Sequence, residues 1–152
     1  VPRQGYERDR VVSGIAHVFG MTGLVLEVSD RGAQVEVLNK FAERGVNLDL
    51  INVTERRLYA ILTTKSFESK GQALLQELGL DHKLTHGCAK LSIVGAGMRG
   101  TPGVMAGMLG CLHEAGVNVI HSTDSDITIS VLVPEKDVPT AVSALHQKFL
   151  AE

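Results

Sequence analysis

The sequence carries two similar hexapeptides, AERGVN at residues 42–47 and HEAGVN at residues 113–118, which agree at four of six positions. The copies lie 71 residues apart, and the same offset aligns apolar residues with apolar residues from Gly32 to Leu78 without a gap. Agreement in one register over that length is not expected by chance. We therefore infer an internal duplication of one structural unit.

Each copy is predicted to contain the same series of strands and helices, from apolar periodicity and turn residues. In the first copy the predicted strands are 24–28, 48–53, 58–64 and 82–88, and the helices are 33–44 and 66–78, the second capped by Ser66. In the second copy the strands are 90–94, 117–121 and 128–133, with a hairpin loop at 122–126, and the helices are 104–115 and 138–150. This pattern predicts an α+β fold of two βαββαβ units, with antiparallel sheets and helices on one face.

The second copy stops after its second helix, whereas an apolar segment at residues 11–16 belongs to neither copy. We predict that this segment completes the sheet of the second unit, so that the first unit is inserted into the second. The predicted boundaries are 20–88 for the first unit and 10–19 plus 89–152 for the second. Residues 1–9 are expected to be an N-terminal tail or a tag remnant.

Composition excludes several function classes. The net charge is −2 and no run of basic residues occurs, so nucleic acid is not an expected partner. No segment approaches the roughly 20 apolar residues needed to cross a bilayer, so we expect no membrane partner and a cytoplasmic location. Cys88 and Cys111 stand apart from each other and from any histidine cluster, which favours two reduced thiols and no metal site.

Residues 95–100 read GAGMRG, a G-x-G-x-x-G motif between a predicted strand and a predicted helix. Such turns bind dinucleotides in larger folds, and Asp124 or Asp126 would be the acid on the next strand. Only 52 residues follow Gly100, which is too few for the remaining strands of a dinucleotide-binding domain. Nucleotide binding is therefore the less favoured interpretation of this turn.

The first strand-to-helix turn has the chemistry of an amino-acid site. A helix N-terminus can bind a carboxylate, and a nearby acid can bind an ammonium group. Asp30 has a second interpretation as a plain helix cap. The candidate binding residues of this turn and the adjoining strand are Asp30, Gly32, Ala33, Gln34, Asp49 and Asn52.

The segment from Ala89 to Phe149 closely resembles the C-terminal end of aspartokinases. The resemblance rests on a strand followed by G-x-G-M, Pro-Gly, a helix, G-V-N-V at 116–119, S-T-x-S-x-I-x-I-S at 122–130 and A-L-H at 144–146. Residues 11–17, VVSGIAH, resemble the strand that opens the regulatory region of this family. The resemblance covers nearly the whole chain from about Arg10.

The resemblance implies paired ACT domains of ferredoxin-like fold that bind an end product of the aspartate pathway at a homodimer interface. The implied effector is lysine or threonine or both, with diaminopimelate as a further candidate. Asp30, Gly32 and Gln34 fall on effector-contacting positions, and Asn118 and Val119 on positions that reach the effector from the partner chain.

The catalytic half of an aspartokinase does not fit in this chain, so we expect no catalytic residue, no cofactor and no kinase activity here. A catalytic kinase domain or subunit, which would use ATP and magnesium, is the implied partner. Two alternatives remain: a stand-alone ACT-type sensor of another amino acid, and a nucleotide-binding enzyme fragment that uses the G-x-G-x-x-G turn.

Overall fold

A computed structural model describes residues 11–151. The predicted tail at residues 1–9 lies outside the described residues. The chain divides into two compact units, one of residues Phe19–Ala89 and the other of residues up to Val18 together with those from Lys90 onward. No helix of the described chain is long and apolar enough to cross a membrane.

The unit of Phe19–Ala89 contains a four-stranded sheet and two helical segments. Its elements are β1 (Val12–Glu27, in part), α1 (Arg31–Glu43), β2 (Asp49–Val53), β3 (Arg57–Thr63), α2 (Thr64–Ser66), a π-helical turn (Phe67–Gly71), α3 (Gln72–Leu78) and β4 (His82–Gly95, in part). The strand order is β2-β3-β1-β4, and β3 runs antiparallel to both β1 and β2.

The core of this unit follows from the alternation of side chains along its strands. Leu24 and Leu26 of β1 are buried, as are Leu58, Ala60 and Leu62 of β3. They belong to one apolar cluster that also contains Val37, Phe41 and Leu74 from the helices. The strand period of two and the helical period near 3.6 therefore converge on one core.

The second unit repeats this arrangement with a different chain path. Its elements are the start of β1, the end of β4, α4 (Val104–Glu114), β5 (His121–Asp124), β6 (Thr128–Pro134), a 3-10 turn (Glu135–Asp137) and α5 (Val138–Phe149). The strand order is β1-β4-β6-β5. The hydroxyl of Ser13 donates to the carbonyl oxygen of Val94 at 3.2 Å, which places the N-terminal strand beside β4 in this unit.

The predicted α+β fold class, with the first unit inserted into the second, is confirmed. Residues 71 positions apart occupy equivalent buried places in the two units. Such pairs include Phe41 and Leu112, Ile61 and Leu132, and Leu74 and Leu145, each at most 1% exposed.

Several predicted element boundaries were wrong. The strands predicted at residues 11–16 and 24–28 merge into one strand, β1 (Val12–Glu27), which continues through Gly20 at φ +73°. Strand β4 likewise joins two predicted strands. Glycines in an extended segment do not end a strand when both sides keep their hydrogen-bonding partners. The second helical segment begins at Thr64, because the hydroxyl of Thr63, not Ser66, caps it by accepting from the Ser66 N–H at 3.1 Å.

The strand predicted at residues 117–121 was also wrong. Val117–Ile120 is irregular, and β5 starts at His121 and continues to Asp124. The hairpin turn is shorter than predicted because the hydroxyl of Ser125 accepts hydrogen bonds from the N–H groups of Ile127 and Thr128. This closes the chain in three residues and leaves Ser122 and Thr123 in the strand.

The strand-to-helix turns as candidate effector sites

The first turn connects β1 to α1, and Asp30 is the residue that starts the helix. Its backbone is extended (φ −101°, ψ 126°), and its Oδ2 accepts a hydrogen bond from the Ala33 N–H at 2.9 Å. Its carbonyl oxygen accepts from the Gln34 N–H at 2.9 Å. A Cβ on Gly32 would lie 3.2 Å from the Asp30 carboxylate, so the turn favours glycine there. Asp30 is therefore the N-cap of α1, with an exposed side chain.

Gln34, another predicted effector contact, lies inside the unit. It is 1% exposed, and its amide Nε2 donates to the carbonyl oxygens of Val28 at 2.8 Å and Thr54 at 2.9 Å. These bonds connect the first turn to the hairpin between β2 and β3. Gln34 thus holds the backbone of the site in place.

A cavity of about 390 Å³ adjoins this turn, lined by Glu27, Val28, Ser29 and Arg56. The Val28 N–H donates to the Arg56 carbonyl oxygen at 3.0 Å, which brings the hairpin against the end of β1. The neighbouring Arg57 pairs with Glu27 at 2.6 Å, and the hydrogen bond to Glu27 raises the pKa of the Arg57 guanidinium. The cavity therefore has an acidic and a basic residue, Glu27 and Arg56, among those that line it.

This cavity was not predicted from the sequence, because residues 54–57 lie between the predicted strands 48–53 and 58–64 and were given no functional role. The available signal was the presence of two consecutive arginines, Arg56 and Arg57, between the two predicted strands.

The remaining predicted residues of the first unit lie on β2. Asp49 is half-buried and its Oδ1 accepts from the N–H of Leu50 at 2.8 Å, whereas Asn52 is exposed. The pairing of β2 with β3 shifts between these two residues. Asp49 is therefore half-buried and lies before the irregularity, whereas Asn52 is exposed and lies after it.

The second turn, between β4 and α4, has a different construction. A Cβ on Gly95 would lie 2.0 Å from the Val11 carbonyl oxygen, so close strand packing requires this glycine. The Met98 N–H donates to the Asp126 carbonyl oxygen at 3.0 Å, and the Arg99 guanidinium donates to the Asp124 carbonyl oxygen at 2.8 Å. The G-x-G-x-x-G motif thus makes contacts to the β5–β6 hairpin of its own unit.

The two turns also differ in how their helices begin. Helix α4 starts after Gly103, at φ +84°, with no side-chain cap, whereas α1 has the Asp30 cap. Asn118, exposed, and Val119, half-buried, lie in the irregular segment before β5.

Cys88 and Cys111 are both free thiols. Within residues 11–151, no three His, Cys, Asp or Glu side chains group as a metal site requires.

Comparison with known proteins places this architecture in a family. A family model described as ACT domain matches residues 83–147. Aspartokinase 1 of Bacillus subtilis is 36% identical over 143 residues, covering 93% of this chain and 35% of that protein. The chain spans somewhat more than a third of the length of the curated relatives it matches.

Solved structures match over nearly the whole chain. The ligand-free regulatory subunit of aspartate kinase from Thermus thermophilus superimposes with a TM-score of 0.82 at 28% identity, covering 93% of this chain and 99% of that one. A structure of aspartokinase alpha and beta subunits gives a TM-score of 0.82 at 26% identity, covering 92% and 99%. These homologues support a role in allosteric regulation. The chain therefore belongs to the ACT-domain regulatory regions that form the C-terminal part of aspartokinases.

Proposed function

We propose that this chain binds an end-product amino acid of the aspartate pathway and conveys feedback inhibition to an aspartokinase catalytic domain or subunit. Lysine and threonine are the proposed effectors, with diaminopimelate as a further candidate. The observation that carries the proposal is the structural match to the regulatory subunit of aspartate kinase from Thermus thermophilus. The match covers 99% of that subunit's solved chain. ATP and magnesium would act in the catalytic partner.

The proposed effector site is the first turn. The N-terminus of α1 favours a carboxylate, and the adjoining cavity of about 390 Å³, which Arg56 helps to line, lies beside it. Because the N–H groups of Ala33 and Gln34 bond to Asp30, we place the effector carboxylate nearer Gly32 and Arg56. The Asp30 carboxylate, exposed at the turn, would meet the effector ammonium group.

The other half of the site is proposed to come from a second copy of the chain. Asn118 and Val119 would approach the effector from the partner in a homodimer. In support, β2 ends the strand order of its unit, and Ile51 on β2 and Val35 on α1 are 45% and 50% exposed. An edge strand with apolar neighbours is stabilised by a covering partner. Binding across an interface would couple effector occupancy to dimer geometry.

Calorimetry with lysine, threonine, methionine and diaminopimelate tests the proposal. We expect one or more to bind wild type, and Asp30→Ala to weaken binding by about 2–4 kcal/mol through loss of a charge partner. Asp30→Ser is the matched variant, because serine keeps a capping oxygen but removes the charge. It should lose affinity while keeping wild-type stability.

Unchanged affinity in both variants, with an intact fold, would place the site elsewhere. Tight binding of NAD or ATP, with no response to any amino acid, would instead favour the nucleotide interpretation. Binding only of an amino acid outside the aspartate pathway would favour a separate sensor.

A further inference from the structure

Strand β2 is interrupted by a bulge. Asp49 lies opposite Ile61, but Asn52 lies opposite Tyr59, so two β2 residues face one residue of β3. Leu50 within the bulge has φ +47°, the one non-glycine residue between positions 11 and 151 with a positive φ. A side chain with a Cβ is sterically disfavoured in this conformation, so the bulge needs support from its surroundings.

Asp49 and the Leu50 side chain itself both contribute to that support. The Oδ1 atom of Asp49 accepts a hydrogen bond from the Leu50 N–H at 2.8 Å. The Leu50 side chain is 9% exposed, so the bulge is also anchored by an apolar group. The hydrogen bond from Asp49 directly engages the backbone of the left-handed residue.

The bulge determines where Asn52 points. Successive side chains of a strand alternate between faces, and one extra residue moves every later side chain to the opposite face. Bulges next to binding sites are a known means of redirecting a side chain. Asn52, a proposed effector contact, follows the bulge directly.

The second unit provides an internal comparison. Strand β5 pairs with β6 in one continuous register, from His121 opposite Leu132 to Asp124 opposite Ile129. At the offset of 71, the equivalents of Asp49 and Leu50 are Ile120 and His121. The Ile120 N–H also donates to the Leu132 carbonyl oxygen at 2.8 Å, so Ile120 and His121 both contact Leu132. Within residues 11–151, what distinguishes the first unit is the left-handed residue together with the carboxylate that bonds to its N–H.

We infer that Asp49 is a positioning residue: it stabilises the left-handed bulge at Leu50 and so directs Asn52 toward the effector. This role rests on the proposed function of the first turn. It assigns Asp49 an action through the backbone, in place of the direct effector contact expected from the sequence.

Three variants of the full chain test this role, with lysine and threonine as probes in calorimetry. Asp49→Asn keeps the side-chain oxygen and should bind within about threefold of wild type. Asp49→Ala removes the acceptor and should bind at least about tenfold more weakly. Adding Leu50→Gly to Asp49→Ala should restore most of the affinity, because glycine adopts φ +47° without steric cost. If Asp49→Asn binds as weakly as Asp49→Ala, the carboxylate charge contacts the effector and the inference is overturned.

A second measurement does not depend on effector binding or on tolerance of glycine at position 50. In isotope-labelled chain, NMR cross-strand contacts between residues 52 and 59 report the register of β2. The register should persist in Asp49→Asn and change in Asp49→Ala; an unchanged register in Asp49→Ala would refute the role. If wild type binds neither amino acid, the proposed function fails while this register comparison still decides what Asp49 does to the bulge.

Discussion

The side-chain amide of Gln34 donates a hydrogen bond to the carbonyl oxygen of Thr54, twenty residues further along the chain, at 2.9 Å. The same nitrogen also donates to Val28 at 2.8 Å. One buried side chain therefore joins the end of β1, the start of α1 and the β2–β3 hairpin. The backbone of the proposed effector site depends on this residue for its shape.

Replacing Gln34 by leucine should lower the free energy of unfolding by about 2–4 kcal/mol, because two backbone carbonyls lose a buried donor. Urea unfolding followed by circular dichroism measures this, since the chain has no Trp. Asn39→Ala, at an exposed position of the same helix, is the control and should change stability by less than about 0.5 kcal/mol. Equal effects of the two changes would contradict the bridging role.

The cap of the second helical segment gives a direct comparison of two hydroxyl residues. Thr63→Ala should destabilise by about 1 kcal/mol, because the Thr63 hydroxyl accepts from the Ser66 N–H at 3.1 Å. Ser66→Ala should have a smaller effect, because its side chain makes no capping bond. Thermal unfolding of both variants decides between them, and a larger loss in Ser66→Ala would reverse the assignment.

Two glycines of the G-x-G-x-x-G motif should respond differently to alanine. Gly95→Ala forces a Cβ to within 2.0 Å of the Val11 carbonyl oxygen and should destabilise by about 3 kcal/mol or more, through a backbone shift. A Cβ on Gly100 would lie 3.6 Å from the Gly97 carbonyl oxygen, an ordinary van der Waals contact, so Gly100→Ala should be tolerated. Denaturant unfolding provides the measurement. A stable Gly95→Ala variant would show that β1 and β4 do not approach so closely.

The thiol of Cys111 should react slowly at neutral pH. Burial raises its pKa, Lys148 opposes that rise, and its Sγ donates to the Ala144 carbonyl oxygen at 3.3 Å. Since the thiolate is the reactive form, a raised pKa lowers the fraction of thiolate at neutral pH. The rate of labelling by iodoacetamide should therefore inflect at higher pH than for free cysteine.

Cys111→Ser is the control for that measurement. It leaves Cys88, which is 1% exposed and should stay unlabelled in the folded chain. An inflection for Cys111 at or below the pH found for free cysteine would contradict the raised pKa.

The repeat at an offset of 71 residues was enough to predict the fold class, the insertion of one unit into the other and most of the helices. Apolar periodicity reports burial locally, so Phe41 and Leu112, or Leu74 and Leu145, could be assigned to cores from the sequence alone. The turn with Asp30 was likewise recognisable, because capping depends on residues three apart.

Contacts between distant segments could not be read in this way. The burial of Gln34 against Thr54 and the bulge of β2 against β3 at Leu50 depend on backbone partners that local patterns do not contain. The N-cap at Thr63 is a local bond, but Ser66 is also a capping residue type, so the sequence did not choose between them. Asp49 illustrates the difference: its carboxylate marked it as a ligand candidate, whereas its bond to the Leu50 N–H within the bulge is visible only in the structure. Residue type and spacing encode which groups are polar, but hydrogen-bond partners are chosen when the chain folds and brings donors and acceptors together.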